Sequence, residues 1–304
     1  MFIRRKKSKP QEVIRANYPQ REEQIDCAQE ASCAPPRYEI IASLLSDTGC
    51  QRETNEDCGS YTRPGDSELL ESKGWLAVVA DGMGGHLAGE VASNLAVEVI
   101  TRSYYNDPGD AHTALKRAFL EANRRIYESA RKDGNLRGMG TTCTALALRN
   151  DSALYVHVGD SRLYMVRGSD IYLMTQDHSA VMEMVKHGLM SAAEARHHPD
   201  KNIILRALGS HPEIELMTWQ KPLPVQEGDC FVLCSDGLYD LVEDEEIKQV
   251  TITQNPHAAC KTLITMAKER GGHDNITVAV VNLKPLGFAA SRPVRETREL
   301  EVVK

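Results

Sequence analysis

Several short apolar segments of this chain meet an aspartate at one end. Asp81, Asp160 and Asp236 each follow such a segment directly, and Asp274 lies two residues before another, Ile276–Val281. Burying a carboxylate is costly unless it is paired, hydrogen-bonded or bound to a metal. A set of carboxylates with no lysines beside them favours the metal, and oxygen ligands alone favour Mg²⁺ or Mn²⁺ over zinc. One Asp-Gly pair by itself indicates a turn, so a metal site and a set of turns remain alternatives at this point.

A second segment combines two adjacent carboxylates with an arginine. Glu56 and Asp57 follow Arg52 by four and five residues, respectively. The planar fork of arginine matches a pair of phosphate oxygens, which the point charge of lysine does not. Taken alone, the segment is better explained as a surface loop with an ordinary ion pair.

Length and composition exclude several classes of function. The 304 residues carry 36 Lys plus Arg against 43 Asp plus Glu, a formal charge of -7, which argues against nucleic acid or an anionic membrane as the main partner. No apolar run is long enough for a membrane span, and no P-loop motif is present for a nucleotide hydrolase. The eight cysteines have no zinc-like spacing. Reduced thiols in a cytoplasmic protein are the simplest interpretation.

Apolar periodicity predicts several helices. We expect helices at 87–104 and 110–132, the second capped by Asp110, and a last helix from about 256 to 268. Ser191-Ala192-Ala193-Glu194 has the pattern of a capping box and marks a short helix.

Short segments rich in β-branched and aromatic residues predict strands between these helices. Two of them, Ala153–Val158 and Leu163–Val166, are separated by four residues, which predicts a tight hairpin. Strands and helices do not alternate regularly as in a doubly wound parallel sheet. The sequence therefore indicates a mixed fold with antiparallel sheet.

The two ends of the chain differ from the middle. Residues 1–37 are polar and charged, and so are residues 285–304. We interpret them as a flexible N-terminal arm and a C-terminal tail around one domain at 38–284.

Seven motifs carry a resemblance to a known family. In chain order they are Arg52-x-x-Asn55-Glu56-Asp57, Asp81-Gly82-Met83-Gly84-Gly85-His86, Gly140-Thr141-Thr142, Val158-Gly159-Asp160-Ser161-Arg162, Asp177-His178-Ser179, Ser235-Asp236-Gly237-Leu238 and His273-Asp274-Asn275-Ile276-Thr277. Their order resembles the type 2C metal-dependent protein phosphatases (PPM), and the second motif resembles the bacterial branch that opposes serine/threonine kinases. The resemblance covers about residues 38 to 283.

The resemblance implies an α+β fold, a four-layer α-β-β-α sandwich of two antiparallel sheets flanked by helices. It also implies a flap beside the active-site cleft at about residues 177–209. The implied activity is hydrolysis of phosphoserine and phosphothreonine in proteins by a metal-activated water, with no covalent intermediate. A cognate kinase and its substrates are the implied partners, with neither nucleic acid nor integral membrane contact.

The same resemblance implies a role for each site residue and a cofactor of two or three Mn²⁺ or Mg²⁺ ions. Arg52 would bind the substrate phosphate. The implied metal ligands are Asp57, Asp81, Gly82 through its carbonyl, Asp236 and Asp274, with Asp160 for a third ion and Glu56 and Asn275 in outer positions.

Two further points concern histidines and an alternative function. Met83 stands where many eukaryotic members of the family have a histidine proposed as general acid, so we assign no general acid; His86 is the residue to test for that role. We interpret five other histidines as polar surface or loop residues rather than ligands, namely His178, His197, His198, His211 and His257. The alternative function is a catalytically weak, phospho-dependent regulatory or scaffold module.

Overall fold

The computed structural model describes residues 38–84 and 87–286. The predicted arm at 1–37, nearly all of the predicted tail at 285–304, and His86 therefore lie outside the described residues.

Strands and helices are spread over the described residues. The strands are β1 (Tyr38–Asp47), β2 (Asp57–Thr62), β3 (Trp75–Met83), β4 (Gly140–Thr141), β5 (Cys143–Arg149), β6 (Ser152–Val158), β7 (Arg162–Arg167), β8 (Asp170–Leu173), β9 (Met217–Thr218), β10 (Leu223–Pro224), β11 (Cys230–Cys234) and β12 (Ile276–Pro285). The helices are α1 (Ser67–Ser72), α2 (Leu87–Asn106), α3 (Ala111–Lys132), α4 (Ala180–Lys186), α5 (Ala192–Arg196), α6 (Asp236–Tyr239), α7 (Asp244–Thr253) and α8 (Pro256–Glu269), with a 3₁₀ turn at Gly134–Leu136.

The strands form two antiparallel sheets. The first sheet has the order β1-β12-β11-β7-β8. The second has the order β10-β6-β5-β3-β2, and the short strands β4 and β9 pair with β3 and β6. Helices cover the outer faces, so the predicted four-layer α-β-β-α sandwich is confirmed.

Three apolar cores hold the layers together. Alternate residues of β3 show how: Val78 packs against α2 and α3, whereas Val79 packs into the core between the sheets. On β11, Val232 likewise faces α7 and α8, and Phe231 faces the other sheet. Both faces of the central strands are buried, which explains why their sequences are continuously apolar.

The helix predictions agree with the structure at their capped ends. The Asp110 side chain accepts a hydrogen bond from the Thr113 amide at 3.0 Å and caps α3. Ser191 and Glu194 form the predicted capping box of α5. In the described part of the chain, no helix is long and apolar enough to cross a membrane.

The predicted hairpin between β6 and β7 is wrong. β6 pairs with β5 in the second sheet, and β7 pairs with β11 and β8 in the first. The connecting residues, with Gly159 at a φ of 103°, carry the chain from one sheet to the other. A short connection fits either arrangement, and apolar faces on both sides of each strand do not indicate which sheet it joins.

Candidate metal and phosphate site

Two aspartates of the second sheet lie directly opposite each other. Asp57, at the start of β2, is paired in register with Asp81 near the end of β3. Directly opposed residues of antiparallel strands have neighbouring side chains, and like charges there destabilise the pair. Asp57 is only 8% exposed, and its Oδ2 accepts a hydrogen bond from the Ser235 hydroxyl at 2.7 Å.

Three further aspartates lie at one edge of the first sheet. Asp160 lies two residues before β7, Asp236 two residues after β11, and Asp274 two residues before β12. β11 pairs antiparallel with both β7 and β12, so these three ends meet at the same edge. The structure therefore brings together all five aspartates that the sequence singled out.

The pKa values of Asp81 and Asp236 reflect the crowding of the carboxyl groups. Burial raises the pKa of Asp81 well above its usual value, and the charges of Asp57, Asp236, Asp160 and Asp274 raise it further. Burial followed by repulsion from Asp160 and Asp274 does the same for Asp236.

Two other carboxyl groups have pKa values near neutrality. Burial is the main cause of a pKa of about 7 for both Asp57 and Asp160. The charges of Asp274 and Glu56 contribute at Asp57, and that of Asp177 contributes at Asp160. Such a group of buried, mutually repelling acids requires protons or cations to be stable.

The donor set fits a hard divalent cation. Oδ1 of Asp236 is buried and has no hydrogen-bond partner among the described residues, and the charges that raise the pKa of Asp236 are those of other aspartates. Within residues 38–84 and 87–286, however, no three acidic, imidazole or thiol groups form a ready-made metal cluster. The features that fit a cation are the unpaired oxygen of Asp236 and the mutual repulsion of the carboxylates.

Two threonines fix the backbone of Asp81. The Thr141 hydroxyl donates to the Asp81 carbonyl at 2.8 Å, and the Asp81 amide donates to Oγ1 of Thr142 at 3.1 Å. Oγ1 of Thr142 also lies 2.6 Å from Oγ of Ser161, in the turn that carries Asp160. These residues belong to the sequence motifs, but their positioning contacts required the structure.

Gly82 lies where there is no space for a side chain. A Cβ at this position would lie 2.2 Å from the carbonyl oxygen of Gly89, and the Gly82 amide donates to the Glu56 carbonyl at 3.1 Å. The Glu56 side chain also packs on Gly89, because a Cβ there would lie 2.0 Å from Oε2 of Glu56. Close packing of backbone on backbone thus explains this glycine.

Asn275 holds the loop that carries Arg52. Its Oδ1 accepts from the Glu56 amide at 2.8 Å, and its Nδ2 donates to the carbonyls of Thr48 and Thr54, each at 2.9 Å. A single buried amide therefore fixes both ends of the segment from Thr48 to Glu56.

Arg52 reaches the acidic cluster from the solvent side. Its Nη2 donates to Oδ2 of Asp274 at 2.8 Å, while 53% of its side chain remains exposed. This hydrogen bond is the main reason that the pKa of Arg52 is raised. A guanidinium that is anchored beside the carboxylates and open to solvent is placed to meet an incoming anion.

A buried polar cluster beside Asp160 was missed at the level of sequence. Arg162 forms a bidentate ion pair with Asp177, with its shortest contact at 2.7 Å, and its guanidinium lies 3.7 Å from the centre of the Tyr239 ring. His178 lies in a loop, which is one of the two predicted settings, but it is only 8% exposed and is therefore not a surface residue. The sequence signals were the two motifs Val158-Gly159-Asp160-Ser161-Arg162 and Asp177-His178-Ser179, neither of which indicates that Arg162 pairs with Asp177.

The comparisons with known proteins agree with this geometry. A family model described as protein phosphatase 2C matches residues 67–270. The serine/threonine phosphatase Stp of Listeria welshimeri is 35% identical over 258 residues, which cover 82% of this chain and 99% of that protein.

Solved structures match over most of both chains. The crystal structure of the Mycobacterium tuberculosis serine/threonine phosphatase PstP/Ppp has 35% identity and a TM-score of 0.72, covering 81% of this chain and 99% of that one. A structure of the PstP catalytic domain in complex with 2 manganese ions has 34% identity and a TM-score of 0.70, covering 81% and 98%. With a family model over more than half of its length and relatives aligned almost from end to end, this chain belongs to the bacterial branch of the protein phosphatase 2C family.

Proposed function

We propose that this protein hydrolyses phosphoserine and phosphothreonine monoesters in proteins and so reverses the action of serine/threonine kinases. The observation that carries the proposal is the cluster of five aspartates, two from one sheet and three from the other, with the half-exposed Arg52 at its edge. Such a site attracts divalent cations and, beside them, an anion.

We assign the cofactor as two or three Mn²⁺ or Mg²⁺ ions. In this proposal the carboxylates of Asp57, Asp81, Asp236 and Asp274 and the Gly82 carbonyl would hold the ions, with Glu56 and Asn275 in outer positions. Asp160 would serve a third ion. The unpaired oxygen of Asp236 and the repulsion among the buried carboxylates support this donor set.

Besides holding the ions, the residues of this chain would perform two tasks in the reaction, binding of the phosphate and positioning of the site. Bound divalent ions supply an activated water and neutralise charge on the phosphoryl oxygens. Arg52 would bind two phosphoryl oxygens through its planar fork. Asp274, no longer hydrogen-bonded to Arg52, would then be available as a metal ligand. Asn275 and the Thr141–Thr142 pair would hold Arg52 and Asp81 in fixed positions, so that no reorganisation is needed during the reaction.

We also propose the boundaries and cellular setting of the enzyme. Residues 38–284 would form the catalytic domain, and the helices α4 and α5 lie within the proposed flap at 177–209. The buried free thiols Cys143, Cys230 and Cys234 support a reducing, cytoplasmic setting, where a cognate serine/threonine kinase would supply the phosphorylated substrates.

The test is phosphate release from a phosphothreonine peptide. The wild type is assayed with Mn²⁺ and with EDTA, beside Asp236→Asn and the control Asp170→Asn, which makes the same chemical change at an exposed position of β8. We expect Mn²⁺-dependent release by the wild type and the control, and a loss of about a hundredfold or more in Asp236→Asn.

Two outcomes would contradict the proposal. Release that persists in EDTA would show that the carboxylates do not act through metals. A folded wild type that binds the phosphopeptide but releases no phosphate with any divalent ion would favour the phospho-dependent scaffold module.

A further inference from the structure

His178 joins two segments that are distant in sequence. The Gly159 amide donates to Nδ1 of His178 at 3.0 Å, and the His178 amide donates to the Gly159 carbonyl at 2.8 Å. The His178 carbonyl in turn accepts from the Leu205 amide at 2.7 Å. One buried residue thus connects both ends of the proposed flap to the turn before β7.

The turn held by His178 has little freedom to move. Gly159 has a φ of 103°, and a Cβ on it would lie 2.5 Å from Cβ of Thr142. On the far side of the turn, Ser161 contacts the same threonine through the two hydroxyls, 2.6 Å apart. Asp160 is the one residue between Gly159 and Ser161, so its position follows from these two attachments.

The hydrogen bond from Gly159 requires an unprotonated Nδ1, which places the imidazole proton on Nε2. Burial, with the charge of Arg206 as the next cause, lowers the pKa of His178 to about 4. The ring stacks on the ring of His157 with centroids 5.0 Å apart, and Nδ1 of His157 lies 2.8 Å from Oγ1 of Thr144. Packing and hydrogen bonding therefore hold one orientation of the ring.

We infer that His178 is a positioning residue that fixes the Gly159–Ser161 turn, and through it the Asp160 carboxylate, in the place that cation binding requires. The inference rests on the proposed function, because it assumes that Asp160 serves a bound ion. It assigns no contact with the substrate to His178.

The chain offers a matched pair of variants for the test. Asparagine places an oxygen on Cγ, where His178 carries Nδ1, whereas leucine has nearly the same shape without the acceptor. Both variants lose the ring and its stacking on His157, so the difference between His178→Asn and His178→Leu reports the acceptor alone. His178→Gln, whose amide lies one atom further out, is a second variant with no acceptor on Cγ, and it serves if the leucine variant does not fold.

Three measurements are made on each protein. Calorimetric titration with Mn²⁺ gives the affinity of the weakest site, phosphopeptide hydrolysis gives the Mn²⁺ concentration for half-maximal rate, and hydrogen exchange in EDTA reports the Gly159 amide. We expect the leucine and glutamine variants to need about tenfold more Mn²⁺ in both assays, which corresponds to a loss of about 1.4 kcal/mol in binding free energy. In the same variants the Gly159 amide should exchange at least about tenfold faster. The asparagine variant should stay within about threefold of the wild type.

The outcomes separate this inference from the proposed function. A purely structural role would lower the melting temperature of the asparagine and leucine variants alike and leave equal Mn²⁺ requirements, which would overturn the inference. Faster exchange at Gly159 without a change in Mn²⁺ requirement would also overturn it, because the hydrogen bond would then not position Asp160. A wild type that neither binds Mn²⁺ nor releases phosphate would refute the proposed function itself, and the inference with it.

Discussion

Replacing Asp57 by asparagine should stabilise the metal-free protein at alkaline pH. The pKa of Asp57 is raised from 3.8 to about 7, chiefly by burial. Between these two values the folded state binds more protons than the unfolded state, so stability falls as the pH rises through this window. An uncharged amide at this position removes that loss, and its oxygen still accepts the hydroxyl of Ser235.

The size of the expected gain in stability follows from the shift in the pKa of Asp57. One pKa unit corresponds to about 1.4 kcal/mol, so a rise to about 7 sets an upper limit of about 4 kcal/mol at pH 8. Relaxation and water penetration reduce such penalties, and we expect a gain of about 2 kcal/mol, or about 4–8 °C in Tm for a domain of this size. At pH 4 the wild-type carboxyl is largely protonated in the folded state, and the gain should be small.

Urea unfolding in EDTA at pH 4 and pH 8 tests this reasoning. It is measured for the wild type, for Asp57→Asn and for the exposed control Asp170→Asn. Added Mn²⁺ should then stabilise the wild type more than Asp57→Asn, because a ligand that binds only the folded state raises its stability. A variant that is less stable than the wild type at pH 8, or equally stabilised at both pH values, would refute the electrostatic explanation.

Substitutions at three other positions test separate parts of the site. Arg52→Ala should lower kcat/KM for a phosphopeptide by about a hundredfold. Arg52→Lys should recover only part of the lost activity because lysine lacks the planar fork. Equal activity of the lysine variant and the wild type would contradict this expectation. Asn275→Ala should cost about 3 kcal/mol of unfolding free energy, since it removes three hydrogen bonds of a buried amide. Urea unfolding measures this cost, and a value below about 1 kcal/mol would count against the role of Asn275. Gly159→Ala should destabilise the protein by about 2 kcal/mol or more. The φ of 103° at this position and the 2.5 Å approach to Thr142 leave no strain-free place for a methyl group. An unchanged melting temperature would contradict this expectation.

The acidic site could be predicted from sequence because its residues stand at strand ends. A continuous apolar strand can be recognised from its own residues, and the residue that follows it must lie at the edge of the sheet where the strand ends. Asp81 and Asp236 were identifiable on that ground alone. Their assignment to one common site needed either the family resemblance or the structure, since nothing local indicates which edges face each other.

The mistaken hairpin and the buried His178 share a physical cause. β6 and β7 are buried on both faces, so their patterns carry no information about the sheet that each joins. The burial of His178 depends on the Leu205 amide, 27 residues further along the chain, and on the turn at Gly159. Contacts of this kind are set by tertiary packing and leave little trace in the residues next to the histidine.

The division of the aspartates between the two sheets links metal binding to the sandwich interface. Asp57 and Asp81 belong to the second sheet, whereas Asp160, Asp236 and Asp274 border the first. The five carboxylates come together only when the core between the sheets is formed, so burial of that apolar core must offset their mutual repulsion in the metal-free state. A cation that binds across both edges adds its binding free energy to the same packing step. Affinity for the ions is therefore a property of the interface between the sheets as much as of the ligands themselves.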